Sequence, residues 1–222
     1  MGKIGEAVET ILRKYKVEKP QPRSLLELLV AIVLSQKTTW KNVHKALENI
    51  RRKIGPPEAI AQASIKQIED AIRPAGLYRN KAPILKNIAS TLTEQKLREI
   101  LKAPYPEAKK ALISIRGIGP KTADVFLMFA RNEPVLPVDT HIARIMHRLG
   151  AAGQKDGYEE IRAKLEAEVP PEKRLEAHLA LIRFGREVCT ARNPKCRQCP
   201  IQRLCSYAAQ SSRLSRPRRV KS

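Results

Sequence analysis

The chain has 222 residues, enough for one or two domains with cores of their own. Its 43 Lys and Arg against 22 Asp and Glu leave a net charge of +21, well beyond what solubility requires, so the expected partner is a polyanion. No apolar run approaches the ~20 residues of a membrane-spanning helix and the N-terminus has no signal-peptide pattern, so nucleic acid is preferred to an anionic membrane, in a cytoplasmic, nucleoid-associated or nuclear setting.

Aromatic residues make up only 4% of the chain, too few for the stacking platforms of a single-strand binder, so the charge is read as meant for duplex backbone. Residues 1–19 are expected to form a basic amphipathic helix with Ile4, Val8, Ile11, Leu12 and Tyr15 inward, stopping before Pro20 and Pro22. Ser24 to Gln36 is apolar almost all round and reads as a buried helix, opened by a capping-box pattern of Ser24 and Glu27. A surface turn, LSQKTT, leads to an amphipathic helix over Lys41–Ile54, which Gly55-Pro56-Pro57 ends. One or two short helices over Ala59–Ile72 precede RPAGLYRNKA, and a helix is expected over Ala82–Leu101. Pro104 and Pro106 mark the approach to the next segment.

That segment, Leu112 to His141, organises the rest. Leu112, Ile113 and Ile115 close a helix, Gly117 and Gly119 break it because glycine reaches left-handed backbone angles, and Pro120 suits the first position of a second helix, expected to run to Arg131. A glycine hairpin feeding a helix N-terminus exposes backbone N–H groups that suit a phosphate. Lys121 falls in the first turn, where the helix dipole, burial and Arg116 penalise its charged form; neutrality near pH 7 asks a shift of roughly three units, about 4 kcal/mol. An amine so placed is a candidate nucleophile. The bland alternative is a solvated lysine paired with Asp124 at i+3. Asp139 or Thr140 caps a further helix that Gly150 ends, and the 18 residues from Lys121 to Asp139 span one helix and one loop, a path that can return a carboxylate to the lysine. Helices over Tyr158–Val169 and Glu172–Val188 follow, separated by Pro170-Pro171. No useful strand-period alternation occurs, so the chain is expected to be all-α.

The only cysteines, Cys189, Cys196, Cys199 and Cys205, form a C-x6-C-x2-C-x5-C array within 17 residues, which argues for a metal. Spacing alone leaves zinc and an iron–sulfur cluster open, with two disulfides disfavoured. The loop between the first two cysteines carries Arg192 and Lys195, and Arg186, Arg197 and Arg203 lie nearby in sequence. The final SSRLSRPRRVKS has five cations and no acid and reads as a disordered basic extension that adds non-specific DNA affinity.

In GIGPKTA (Gly117–Ala123), VDTH (Val138–His141) and the four-cysteine array, with looser matches at GLYRNKA and LSQKTT, the sequence resembles the endonuclease III family of helix-hairpin-helix DNA glycosylases. The resemblance covers nearly the whole chain. It implies two helical domains with a cleft between them: 21–133 containing the helix-hairpin-helix at 109–131, 1–20 with 134–209 around a [4Fe–4S] cluster, and 210–222 as the tail. It further implies Lys121 as a Schiff-base nucleophile, Asp139 as the carboxylate that assists it, and the four cysteines as cluster ligands. Gln36 or Lys37 is then the residue that enters the duplex beside the damaged nucleotide, because an ungapped match sets Lys37 at the family's glutamine position. Leu77 is the wedge at the gap left by the flipped base, with Arg79 and Lys81 for phosphate; Gly117, Gly119, His141, Arg192 and Lys195 complete the expected DNA contacts. The implied activity is removal of damaged pyrimidines from duplex DNA followed by abasic-site cleavage, by a monomer. The alternatives are a monofunctional T or U mismatch glycosylase of the same fold, and a non-enzymatic DNA-binding or redox-sensing iron–sulfur module.

Overall fold

The structure, a computed structural model, describes residues 2–214, with side chains described as far as Gln210. It is helical throughout: no strand occurs among the described residues, and no helix there is long and apolar enough to cross a membrane. The chain divides into two units, Pro20–Glu133 and a second one built from the chain on either side of it.

The Pro20–Glu133 unit is centred on α2 (Leu25–Leu34), in which every residue after Leu25 is buried, as its all-round apolar sequence demands. It packs against α3 (Trp40–Lys53), α5 (Tyr78–Thr91), α6 (Glu94–Lys102) and α8 (Pro120–Arg131). Only half of the expected capping box forms. Ser24 Oγ accepts the Glu27 N–H at 3.1 Å, but the Glu27 carboxylate turns to Arg51 of α3, at 2.8 and 3.2 Å, and to the Arg23 N–H. Glu94 of α6 supplies the remaining cap by accepting the Leu25 and Leu26 N–H groups, both at 3.2 Å. The full capping box of this unit lies at Ser64 and Gln67, opening α4 (Ile65–Ile72).

Two helices of this unit differ from the sequence expectation. The helix expected over Ala82–Leu101 starts four residues earlier and is split into α5 and α6, because Thr93 Oγ1 accepts the Lys96 N–H and starts a new helix there. Pro104 and Pro106 do not precede the hairpin's first helix but build its start: α7 runs Tyr105–Ile113, with Pro104 at its N-cap and Pro106 in its first turn.

In the other unit α1 spans Lys3–Lys14, α9 Thr140–Leu149, α10 Tyr158–Glu168, α11 Arg174–Glu187 and α12 Ser206–Leu214. The core joins Ile4, Val8 and Ile11 of α1 to Ile142, Ile145 and Met146 of α9 and Leu181 and Phe184 of α11. α1 stops at Lys14 rather than continuing to residue 19, since Tyr15 leaves the helix to bury its ring edge-on to Phe184, 6.3 Å between centroids. α9 and α11 approach closely at Gly185, where an added β-carbon would meet the His141 side chain at 2.8 Å. Of the basic tail expected over 210–222, α12 carries the backbone as far as Leu214; the rest lies outside the described residues.

Candidate active site and cluster-binding loop

The hairpin between α7 and α8 uses its two glycines differently. Gly117 has φ +100°, and a β-carbon there would fall 2.5 Å from Ile84 Cγ2 of α5, so both backbone angle and space require glycine. The Asn87 side chain of α5 also donates to the Arg116 carbonyl at 3.0 Å, holding the turn. Gly119 has ordinary extended angles, φ −92° and ψ 174°, and a β-carbon there would meet nothing within 4 Å. The expectation that both glycines reach left-handed angles therefore holds for Gly117 alone. Nothing inside the protein asks for glycine at position 119.

Pro120 opens α8 and Lys121 follows it, half-buried, in the first turn. Thr122 to Met128 are buried, which leaves Lys121 at the margin of the apolar face. Asp124 is no solvated surface partner. It is fully buried, and its carboxylate accepts from the Tyr105 hydroxyl at 2.8 Å and the Lys109 ammonium at 3.0 Å, tying α7 to α8.

Four exposed non-glycine residues among those described have left-handed angles; Asn132 and Asn193 are of a type that tolerates them, and the other two carry backbone strain. Lys37, in the turn after α2, has φ +53°, and Leu77, the residue before α5, has φ +48° with a side chain 49% exposed. Non-glycine residues in this region cost roughly 1–2 kcal/mol each. Gln36 is also exposed, and Arg79 is exposed one turn into α5, its guanidinium 5.9 Å from the Tyr78 ring centre. Lys81, expected to meet phosphate, is corrected: it is 2% exposed, and its ammonium donates to the carbonyls of Leu34 (2.7 Å), Gln36 (2.8 Å) and Ala75 (2.9 Å). Burial pushes its pKa down to about 8.

In the other unit Asp139 caps α9 through Oδ1, which accepts the His141 N–H at 2.9 Å and the Ile142 N–H at 2.8 Å. His141 packs on Gly185, and its Nδ1 lies 3.1 Å from an Arg144 guanidinium nitrogen. Burial holds its pKa below the usual imidazole range; Arg144 and Arg186 act the same way, and Asp139 opposes them. The ring is thus engaged within its own unit.

Sequence reading missed Arg144 and Arg148. Their one-turn spacing on α9 is that of solvated cations, yet both are committed to the cysteine loop. Arg144 donates to the carbonyls of Cys189 (2.9 Å) and Gly185 (2.8 Å). Arg148 donates to the carbonyls of Thr190 (2.7 Å) and Ala191 (3.1 Å), lies 3.4 Å from Cys189 Sγ and stacks over Tyr207. The Cys205 thiol in turn donates to the Arg148 carbonyl at 3.2 Å.

All four cysteines are unpaired and line one cavity, whose other walls include Ile145, Leu149, Phe184 and Ile201. Among the described residues, no three His, Cys, Asp or Glu side chains are arranged to hold a single metal ion. Four thiols around an apolar cavity suit a cluster that takes one thiolate on each iron. Burial raises the Cys199 thiol to about 11, and raises Cys196 with further help from Cys205 and Cys189. Arg192 and Lys195 are exposed on the loop that the cysteines pin at both ends.

The model of the HhH-GPD superfamily base excision DNA repair proteins matches residues 30–171, and that of the iron–sulfur binding domain of endonuclease III matches residues 189–205. The endonuclease III of Haemophilus influenzae is 36% identical over 89% of this chain and 93% of its own length, and that of Sulfolobus acidocaldarius is 35% identical over 83% of each. The solved structure of a trapped endonuclease III–DNA covalent intermediate superposes with a TM-score of 0.80 at 29% identity, covering 96% of this chain and 99% of that one. Hairpin, helical frame and matches together define a base-excision DNA repair glycosylase. Within that class, the cysteine array with its iron–sulfur match and the identity to curated relatives are decisive: the chain belongs to the endonuclease III family, and its cofactor is a [4Fe–4S] cluster.

Proposed function

We propose that the protein removes oxidised or otherwise damaged pyrimidines from duplex DNA and then cleaves the strand at the resulting abasic site, acting as a monomer. Lys121 is the nucleophile. Its Nζ bonds to C1′ as the bond from C1′ to the base breaks, and the base leaves with the electron pair and takes up a proton. Asp139 is the carboxylate that assists by accepting the amine's proton or by stabilising developing positive charge. Opening of the sugar gives an imine, which makes the 2′ proton acidic; its loss expels the 3′ phosphate, and water then releases the lysine. The observation that carries this reading is the position of Lys121, one residue inside α8 and directly after the hairpin turn.

The other residues serve recognition. The hairpin backbone around Gly119 meets phosphate, Lys37 or Gln36 enters the duplex, Leu77 wedges into the vacated stack, and Arg79, Arg192 and Lys195 contact backbone. His141, engaged by Arg144 and Gly185, supports the loop end of α9 rather than reading a base. The [4Fe–4S] cluster, held by Cys189, Cys196, Cys199 and Cys205, supplies rigidity to the loop that bears Arg192 and Lys195.

The test is borohydride trapping on a duplex with one abasic site or one thymine glycol. A covalent protein–DNA adduct is expected, absent in Lys121→Ala. Intact binding without any adduct on the abasic duplex excludes the lyase and leaves a monofunctional glycosylase or a binding module.

A further inference from the structure

Lys37 and Leu77, the exposed residues of the Pro20–Glu133 unit other than glycine and Asn132 with left-handed backbone angles, lie 40 residues apart in sequence, yet a single side chain is bonded to the backbone beside both. The Gln36 carbonyl belongs to the peptide that enters Lys37, and the Ala75 carbonyl to the peptide that enters Gly76, itself at φ +66°. Leu34 is the last residue of α2, from which the Lys37 turn departs. The Lys81 ammonium donates to all three carbonyls, and the Lys81 backbone N–H donates to the Leu77 carbonyl at 2.9 Å. We propose that Lys81 is a positioning residue that locks the Lys37 turn and the Leu77 turn together, so that the two side chains are presented to the duplex as one preset pair.

This rests on the reading that Lys37 and Leu77 enter the duplex. The chemistry of the clamp favours a lysine specifically. An ammonium has three N–H donors on one atom and can satisfy three converging acceptors, whereas a guanidinium spreads its donors over a planar fork. A helix C-terminus needs no buried cation to end it, since a left-handed glycine or a surface lysine satisfies the last carbonyls. Capping α2 therefore explains the Leu34 bond but not the bonds to Gln36 and Ala75. Those two hold the entry peptides of the strained turns, and strain of this kind persists only where its surroundings over-determine it. Preset geometry lowers the ordering cost of insertion, so it strengthens binding to a duplex with a gap while adding little to backbone contact with an intact one.

The experiment uses the full-length, cluster-loaded protein and two duplexes, one with a single tetrahydrofuran abasic analogue and one undamaged, with 2-aminopurine beside the lesion to report unstacking. Lys81→Met is expected to lose about ten-fold in affinity for the lesion duplex, together with the fluorescence rise, while affinity for the undamaged duplex stays within about two-fold. In a Leu77→Ala background the same change is expected to add little, because both act on one device. Should Lys81→Met not fold, Lys81→Arg carries the test, since it keeps the charge but not three convergent donors; a partial loss of lesion preference is expected. Full lesion preference and fluorescence in the variant overturn the proposal, as does an equal loss on both duplexes, the mark of general destabilisation. If Leu77→Ala and Lys37→Ala leave lesion preference intact, the reading of those residues fails; if they abolish it while Lys81→Met does not, only the clamp fails.

Discussion

The β-carbon that Gly117 lacks would lie 2.5 Å from Ile84 Cγ2, whereas one added to Gly119, two residues on, would touch nothing. The hairpin thus separates a glycine needed by the fold from one the fold does not use. Gly117→Ala is expected to cost about 2–4 kcal/mol, from overpacking against α5 and a φ of +100° that alanine resists. Gly119→Ala is expected to change stability by less than about 0.5 kcal/mol, since its backbone is already in a region alanine favours. Its loss should appear in duplex affinity, because a methyl group at a helix N-terminus stands between backbone N–H groups and a phosphate. Urea denaturation and a salt-controlled binding titration on the same two variants check both halves.

The tie between α7 and α8 gives the second prediction. Removing the Lys109 ammonium, 3.0 Å from a carboxylate with no exposed surface, leaves a buried charge without that cation, and Lys109→Met is expected to destabilise by about 3 kcal/mol. Replacing the whole group by Lys109→Met, Asp124→Leu and Tyr105→Phe should restore most of that, because apolar substitutes for a buried ion pair are often neutral or better. If the triple variant is no more stable than the single one, the tie is not what Lys109 contributes.

Local chemistry was legible in the chain. Pro120 at a first helical position, Asp139 at an N-cap and Gly150 in the left-handed C-cap conformation set the ends of α8 and α9 where the sequence predicts them, since each acts on backbone within one turn. What distant segments decide was not legible. Glu27 looks like half of a capping box until Arg51, 24 residues on, takes its carboxylate. Lys81 reads as a phosphate contact, and Arg144 and Arg148 carry no signal in the sequence, because nothing nearby reveals that carbonyls 41 to 47 residues away converge on them. Long basic side chains are the least predictable members of this strongly basic chain: their charge suggests solvent, and only tertiary contacts show which ones are structural.

His141 gives a pH dependence with a definite sign. Its proton affinity in the folded protein is below that of an unfolded histidine, 6.5, chiefly through burial. As pH falls below about 6.5 the unfolded chain takes up a proton that the folded chain resists, so stability falls with acidification and is recovered on returning to neutrality. Arg144 beside Nδ1 acts in the same direction, because a ring protonated there presents N–H to N–H. The difference in unfolding free energy between pH 7.5 and pH 5.5 should shrink in His141→Gln. An unchanged difference would assign the acid sensitivity to other groups.

Removing the cluster should act on one unit alone. Cys199→Ser takes away a half-buried thiol, proposed as a cluster ligand, from a cavity whose walls include the other three cysteines and the apolar ends of α9 and α11. The loop over 189–205 holds little regular structure of its own, two single-turn 3-10 segments, so the energy of cluster binding is in large part its folding energy. The bonds from Arg144 and Arg148 to the carbonyls of Cys189, Thr190 and Ala191 tie that loop to α9, and Arg148 stacking on Tyr207 extends the link to α12. Loss of the cluster is therefore expected to raise amide exchange through 189–210 and in the last turn of α9, with exchange across Pro20–Glu133 unchanged. Affinity for undamaged duplex should fall with a shallower salt dependence, because Arg192 and Lys195 are no longer held in place. Exchange that rises equally in both units would mean that the cluster stabilises the chain as a whole, and that its loop is not the separate DNA-facing element proposed here.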